Sequence, residues 1–503
     1  DENGLVNYAE VIGGEEITGF TNGTSYPFST FTTSGNNITS AIISSSFAGA
    51  VSNSISIVNG KTYKVTFTYT KNSGDDLRVL ISNAISGAGS SISNIEQVSV
   101  SGDITLFLIA TSTTTGYLQM GTGSGSDSLD ISITNISVKE VTRDNVPRID
   151  YTGGGCPHIL AEPMRTNLIP YSEEISQYNQ SSSTASDNET ISPDGTNNAS
   201  KISKDGVNAN DRVTTIITIS NSTDYSLSAF IKNDDVANGG VSTIGARITG
   251  GTVFRQGYEW NGSTLSVTNS SQSGTRTNVL LEDYGNGWWK VGFSFTSDGT
   301  EARLEFDIDR VNGTDTTAIF LWAVQTEAGS YGTSYIPNFG TALGVTRNQD
   351  IFTRDGIGSL INSTEGVLFA EMAVLSDDST LKSITLSDGT GGNRVIINYS
   401  NASNRLTADV RVGAVGQAFM QTYSYTITNF LKIALKYKEN DFALWVNGTE
   451  VATDTSGSTF SANTLNRLGL DNGASGELLF GKVKQLQVYK TALTDAQLTS
   501  LTT

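Results

Sequence analysis

Apolar and polar side chains alternate with a period of two along much of this chain, and no other feature narrows its possible folds as far. In KTYKVTFTYT, Tyr63, Val65, Phe67 and Tyr69 fall on one face, with Lys64, Thr66 and Thr68 on the other. TDYSLSAFIK does the same with Tyr225, Leu227, Ala229 and Ile231, and FLKIALKY with Leu431, Ile433, Leu435 and Tyr437 opposite Lys432 and Lys436. Successive side chains of a strand point to opposite faces, so this period with one wet face predicts antiparallel sheets in sandwiches. Turns rich in Gly, Asn, Asp and Ser separate the runs, and few segments have the spacing of a long helix. At 503 residues the chain exceeds what one core can organise, and three or four domains are expected.

A diverged internal repeat supplies the boundaries. GLVNYAE (Gly4–Glu10) resembles NLIPYSE (Asn167–Glu173), placing Tyr8 beside Tyr171 and Glu10 beside Glu173. Further on, GSDSLDISITNISV aligns without gaps to GTDTTAIFLWAVQT, pairing Asp127 with Asp315, Ile131 with Ile319 and Ile133 with Leu321. The offset has by then grown, so the second copy carries an insertion around Phe254–Gly287. The expected domains are 1–142 and 165–346, two related sandwiches, and 359–503, a third, with connections at 143–164 and 347–358. In the third, an Asn447–Gly448 hairpin turn favours type I′ geometry. Near the C-terminus, Thr494 can cap a short helix with Gln497 reaching back, and Leu493 and Leu498 are spaced for a hydrophobic staple.

The formal net charge is −19, from 50 acidic against 31 basic side chains. Such a surface repels phosphate backbones and anionic membrane surfaces, so neither nucleic acid nor membrane insertion is expected. No run of 18 apolar residues occurs, so no helix is expected to cross a membrane. No signal peptide is visible and the chain opens at Asp1, as a mature product or a fragment would.

Several blocks occur in an order that resembles a module of bacteriophage virion proteins. They are PRIDYTGGG with ILAEPMRTNLIPYSEE, then SPDGTNNASKI, YGNGWWKVGFSF and FLWAVQTEAGSYGTSYIP. The resemblance spans roughly residues 147–347, is fainter in the first copy, and implies a carbohydrate-binding-module-like jelly roll. The last domain, with FALWVNGTEV and GKVKQLQVYKTALTDAQL, resembles the laminin-G/concanavalin-A-like sandwich over about residues 365–501. Together these imply an all-β chain of three tandem antiparallel sandwiches, two related jelly rolls and one concanavalin-A-like. Fold alone fixes no function.

Cys156 and His158, the only residues of their kinds, invite a thiol–base reading. A nucleophile needs a base oriented by a third group and fixed oxyanion donors, which a Gly-rich connector does not supply, so the pair is assigned to a seam. One Cys and one His cannot build a structural zinc site. Carboxylate pairs for glycoside hydrolysis could come from Glu259 with Asp283, or Glu305 with Asp307 and Asp309. The latter set alternates with Leu304, Phe306 and Ile308 and is expected on the solvated face of a strand. No catalytic residue is assigned.

Calcium is the one cofactor considered, at turn clusters holding Asp75 and Asp76, Asp234 and Asp235, and Asp377 and Asp378, with none matching EF-hand spacing. Sugars stack on aromatic rings, and Trp260, Tyr258, Tyr284 and Trp289 are the candidate ligand contacts. Trp260, beside an Asn–Gly turn, is expected to be the exposed ring, whereas the resemblance places Trp288 in the core.

The expectation is a non-enzymatic virion appendage protein, a tail fibre or similar, on the virion surface and extracellular. Its partners would be a host-surface polysaccharide and other virion proteins, as a homo-oligomer with a trimer favoured. The alternatives are a capsid decoration or head-fibre protein without glycan binding, and a bacterial surface adhesin.

Overall fold

The computed structural model describes residues 11–87, 89–99, 101–142, 148–150, 157–205, 211–234, 240–268, 274–308, 317–338, 340–341 and 344–503. The chain is all-β, with antiparallel strands in six large sheets and one α-helix among the described residues, Asp495–Thr502. It divides into two compact units, residues 8–146 and 147–503.

The first unit is one sandwich. One of its sheets runs in the order Gly102–Ile109, Thr62–Gly74, Leu129–Thr142, Asn37–Ile43, Thr30–Ser34; the other runs Phe20–Asn22, Gly49–Ser52, Thr114–Gly121, Leu77–Ser82, Glu96–Val98. The alternation works as expected: Tyr63, Val65, Phe67 and Tyr69 enter the core, and Ile131 and Ile133 meet them from the neighbouring strand.

The second unit holds two sandwiches. The first of these repeats the same topology. Trp288–Thr296, Asp224–Asn233, Ala318–Ala328, Ala199–Lys204 and Ser183–Thr190 follow one another across one sheet. Asn179–Ser181, Arg212–Thr218, Glu301–Asp307, Gly240–Ile248 and Val253–Asn261 follow across the other. Ile319 and Leu321 occupy the core places of Ile131 and Ile133. The extra length is spent on two additional strands, Thr264–Thr268 and Thr277–Asp283, each at an edge. Its strand Asp224–Asn233 departs from the simple pattern. Tyr225, Leu227, Ala229 and Ile231 face the core, yet Ser226, Ser228 and Phe230 opposite them are buried too. A second apolar cluster of Phe230, Trp288, Phe320 and Trp322 covers that outer face.

The third sandwich stacks the sheet Glu365–Val374, Leu431–Lys438, Phe442–Val446, Thr449–Asp454 and Gly481–Tyr489 on the sheet Arg467–Gly469, Lys382–Ser387, Arg394–Tyr399, Leu406–Val412, Val415–Thr422. Asn447 and Gly448 both have positive φ, 46° and 80°, as a type I′ turn requires. Thr494 accepts from Gln497 N and Gln497 reaches back to Thr494, while Leu498 is buried against Leu493.

Described parts of residues 143–164, expected as a connection, carry regular structure. Arg148–Asp150 and His158–Ala161 form an antiparallel pair, and the second strand bonds to Gly481–Tyr489, extending the first sheet of the third sandwich. Arg165–Asn167 then pairs with Val345–Arg347 at the foot of the second sandwich. Between the two sandwiches lies a buried ion cluster. Glu162 Oε2 is 2.8 Å from Arg148 Nη1 and 2.9 Å from Arg347 Nη1, and Arg148 also bonds Asp350. Burial pushes the Glu162 carboxyl up, but the Arg347 and Arg148 charges overcome it and hold it below the usual range.

Candidate functional site

Of the aromatic residues singled out from sequence, Tyr258 and Trp260 are core rings and Tyr284 and Trp289 are half-buried. Tyr258 is fully buried, its hydroxyl donating to the Gly292 carbonyl at 2.9 Å. Trp260 is 3 % exposed, with its indole N–H on Ser242 Oγ at 2.8 Å, so the exposure expected from the adjacent turn is corrected. Both rings sit at inward positions of Val253–Asn261, where strand parity outweighs the nearby Asn–Gly. Trp289 is half-buried against the same core and bonded to the Ser263 carbonyl. Tyr284 is half-buried edge-on to Phe230, with ring centroids 4.8 Å apart.

The aspartate clusters hold protein partners where calcium was considered. Asp75 accepts from Ser128 N at 2.8 Å, and Asp76 lies 3.1 Å from Lys71 Nζ. Asp234 is 2.7 Å from Lys201 Nζ, and Asp235 lies outside the described residues. Asp377 accepts from Asn404 N at 2.9 Å, and Asp378 pairs with Lys382. At Asp76, Asp234 and Asp378 a lysine ammonium occupies the place a cation would take. Among the described residues no three carboxylate, thiol or imidazole groups come together as a metal site.

The hydrolytic candidates fare similarly. Glu259 and Asp283 lie on different sheets of the second sandwich. Glu305 and Asp307 are 0 % and 1 % exposed rather than solvated, because Arg247 on the adjacent strand and Arg255 on the strand beyond it fold over them. Burial raises the Glu305 carboxyl, but hydrogen bonds from Arg247 and Arg303 and the Arg255 charge bring it down to about 2, opposite to the shift a general acid needs. Asp309 and Cys156 lie outside the described residues. His158 is buried in the seam with Nε2 3.0 Å from Asp150 Oδ2 and its ring edge-on to Phe430.

An exposed ring does stand on the third sandwich. In Val415–Thr422, Ala418 and Met420 enter the core, which turns Phe419 outward at 55 % exposure, with Tyr423 beyond it at 54 %. Strand register sets its neighbours. Ile396, Asp409 and Phe419 form one row across three strands, and Asn398, Thr407 and Gln421 form the next. Arg394 Nη2 and Arg411 Nε both donate to Asp409 Oδ2, at 3.1 and 2.7 Å. Asp409 Oδ1 receives no hydrogen bond from the described residues. Arg405 holds Gln421 Oε1 at 2.9 Å, which fixes the amide and leaves its N–H donors without a protein acceptor among the described residues.

An apolar ring thus lies beside one oriented acceptor and one oriented donor, the combination that a sugar's apolar face and adjacent hydroxyls require. Sequence reading missed it because Phe419 is larger than Ala418 and Met420, and size suggests the core. Parity carried from Leu406, Ala408 and Val410 through the hairpin would have turned it outward.

The chain matches a family model here. Residues 371–499 match the Concanavalin A-like lectin/glucanases superfamily. Among solved structures, the Ruminococcus gnavus IT-sialidase CBM40 bound to alpha2,3 sialyllactose is similar at 18% identity, covering 30% of this chain and 98% of its own, with a TM-score of 0.24. The N-terminal CBM22-1-CBM22-2 tandem domain from Paenibacillus barcinonensis Xyn10C is similar at 10% identity, covering 65% of this chain and 99% of its own, with a TM-score of 0.26. Mouse laminin alpha1 chain domains LG4-5 give 10% identity, 57% and 88% coverage, and a TM-score of 0.20. No curated protein matches the chain.

Proposed function

We propose that this protein is a non-catalytic glycan-binding protein whose third sandwich takes carbohydrate on the Phe419 face. The carrying observation is the exposed Phe419 ring flanked by Asp409 Oδ1 and the Gln421 amide, each held in place by arginine. The superfamily match over residues 371–499 supports this reading. A glycosidase needs two carboxyls facing each other across a sugar. The rows beside Phe419 carry Asp409 alone, already engaged by two arginines.

The resemblance of residues 147–347 to virion modules supports a placement on a phage appendage, in several copies, where weak contacts would add through avidity. Display on a capsid and attachment to a bacterial surface are the competing placements; antibody labelling of particles and cells separates the three.

The test of binding is a glycan array followed by titration of the best hit. Covering a ring of this exposure contributes about 2 kcal/mol, so Phe419→Ala is expected to weaken binding about 30-fold, with the circular dichroism spectrum unchanged. Asp409→Asn should weaken it in the same direction. Binding unchanged in both variants would remove the Phe419 face from the proposal.

A further inference from the structure

The outer face of one sheet of the second sandwich carries a charge cluster that the Phe419 reading does not use. Glu301, Arg303, Glu305 and Asp307 alternate outward on the central strand, opposite the core residues Ala302, Leu304 and Phe306. Arg247 is the register partner of Arg303, and Ile216 faces it from the other side. Glu305 gathers three guanidinium groups. Arg247 Nε lies at 2.9 Å and Arg303 Nη2 at 2.6 Å from Oε1, and Arg255 bonds Oε2. Arg255 crosses the intervening strand where Gly245 has no side chain; a Cβ there would lie 3.4 Å from its Cγ.

Fixing these side chains leaves donors to spare. Both terminal amino groups of Arg247, and Nη1 of Arg303, have no protein acceptor among the described residues. Each side chain is 37% exposed. They line an open cleft of about 380 Å³ together with Glu301, Thr249 and the Gly250–Gly251 turn, with Ile216 as a 52 % exposed apolar wall. Glu301 Oε1 accepts from Thr249 Oγ1 at 2.7 Å.

We propose that this cleft binds a carboxylated sugar. The planar carboxylate meets the spare guanidinium donors of Arg247 and Arg303, a match of fork to fork. Hydroxyls at the other end donate to Glu301, and the apolar ring face lies on Ile216. Glu301 also sets the charge limit: it repels a dianionic phosphate ester while accepting from hydroxyls.

The test is calorimetric titration of the intact protein with methyl β-glucuronide, its methyl ester, methyl β-glucoside and glucose 6-phosphate. The glucuronide is expected to bind at least 10-fold more tightly than the other three, and several-fold more weakly at high salt. Arg247→Gln, which leaves Glu305 with Arg303 and Arg255, should lose 10-fold or more. Ile216→Ser, outside the ion network, should lose several-fold. Phe419→Ala should change nothing, so failure here is distinguishable from failure of the third-sandwich reading. No glucuronide binding, equal binding of ester or glucoside, or binding indifferent to Arg247→Gln would each overturn the proposal. Equal binding of glucose 6-phosphate would overturn the carboxylate assignment.

Discussion

Glu173 lies beneath the outer aromatic cluster of the second sandwich, taking hydrogen bonds from Tyr335 Oη at 2.9 Å and Asn198 Nδ2 at 2.8 Å. Burial outweighs those bonds and raises its carboxyl from 4.5 to about 7. A raised carboxyl stabilises the fold at acid pH, and that stabilisation is lost as pH climbs from the unfolded value through the folded one. The size is about 3 kcal/mol between roughly pH 4.5 and 7. Glu305, brought down to about 2, has the opposite slope, so its contribution is lost as pH falls from about 4.5 toward 2. Glu173→Gln is therefore expected to flatten the near-neutral limb and leave the acid limb, checked by urea unfolding across pH; an unchanged near-neutral limb would refute it. Neither effect was legible from residue type. Acidic residues within alternating strands look solvated, and only the side chains folded over them from other strands decide otherwise. Trp260 and Phe419 show the same limit in reverse: each side was set by parity, which local turn chemistry and ring size both obscured.

Among the elements, the C-terminal helix was legible in detail because its signals are local. Thr494 and Gln497 close on each other over three residues, and Leu498 anchors the turn against Phe369 and Trp445. Thr494→Ala should cost the third sandwich about 1 kcal/mol, and Thr494→Ser should restore most of it. Equal midpoints for the alanine and serine variants in denaturant would count against the cap. The sheets were legible in kind, since period two is also local, and the repeat gave the two related topologies. The pairing of His158–Ala161 with Gly481–Tyr489 was not, because more than 300 residues separate the partners and a four-residue strand leaves no periodic trace. The segment's glycines favoured a connector, and its strand potential emerged only against an open sheet edge.

For the whole molecule, the cluster of Arg148, Glu162, Arg347 and Asp350 fastens the second sandwich to the third. Removing one member of a buried network leaves charges without partners, at a cost of about 3–5 kcal/mol. Calorimetry should show these two sandwiches melting together in the wild type and Glu162→Gln splitting that transition; one undivided transition in the variant would argue against the coupling. The strand pairs on either side of that cluster carry a further consequence. The chain lays down a strand of the third sandwich at His158–Ala161, departs through Arg165–Asn167, builds the whole second sandwich, and returns alongside itself at Val345–Arg347 before finishing the third. The second sandwich is thus a guest spliced into the third, its entry and exit held side by side. Recombination can exchange that guest through two adjacent cuts, provided the newcomer supplies a cation for Glu162 in place of Arg347, whereas a single crossover at residue 347 would leave part of the host's sheet behind.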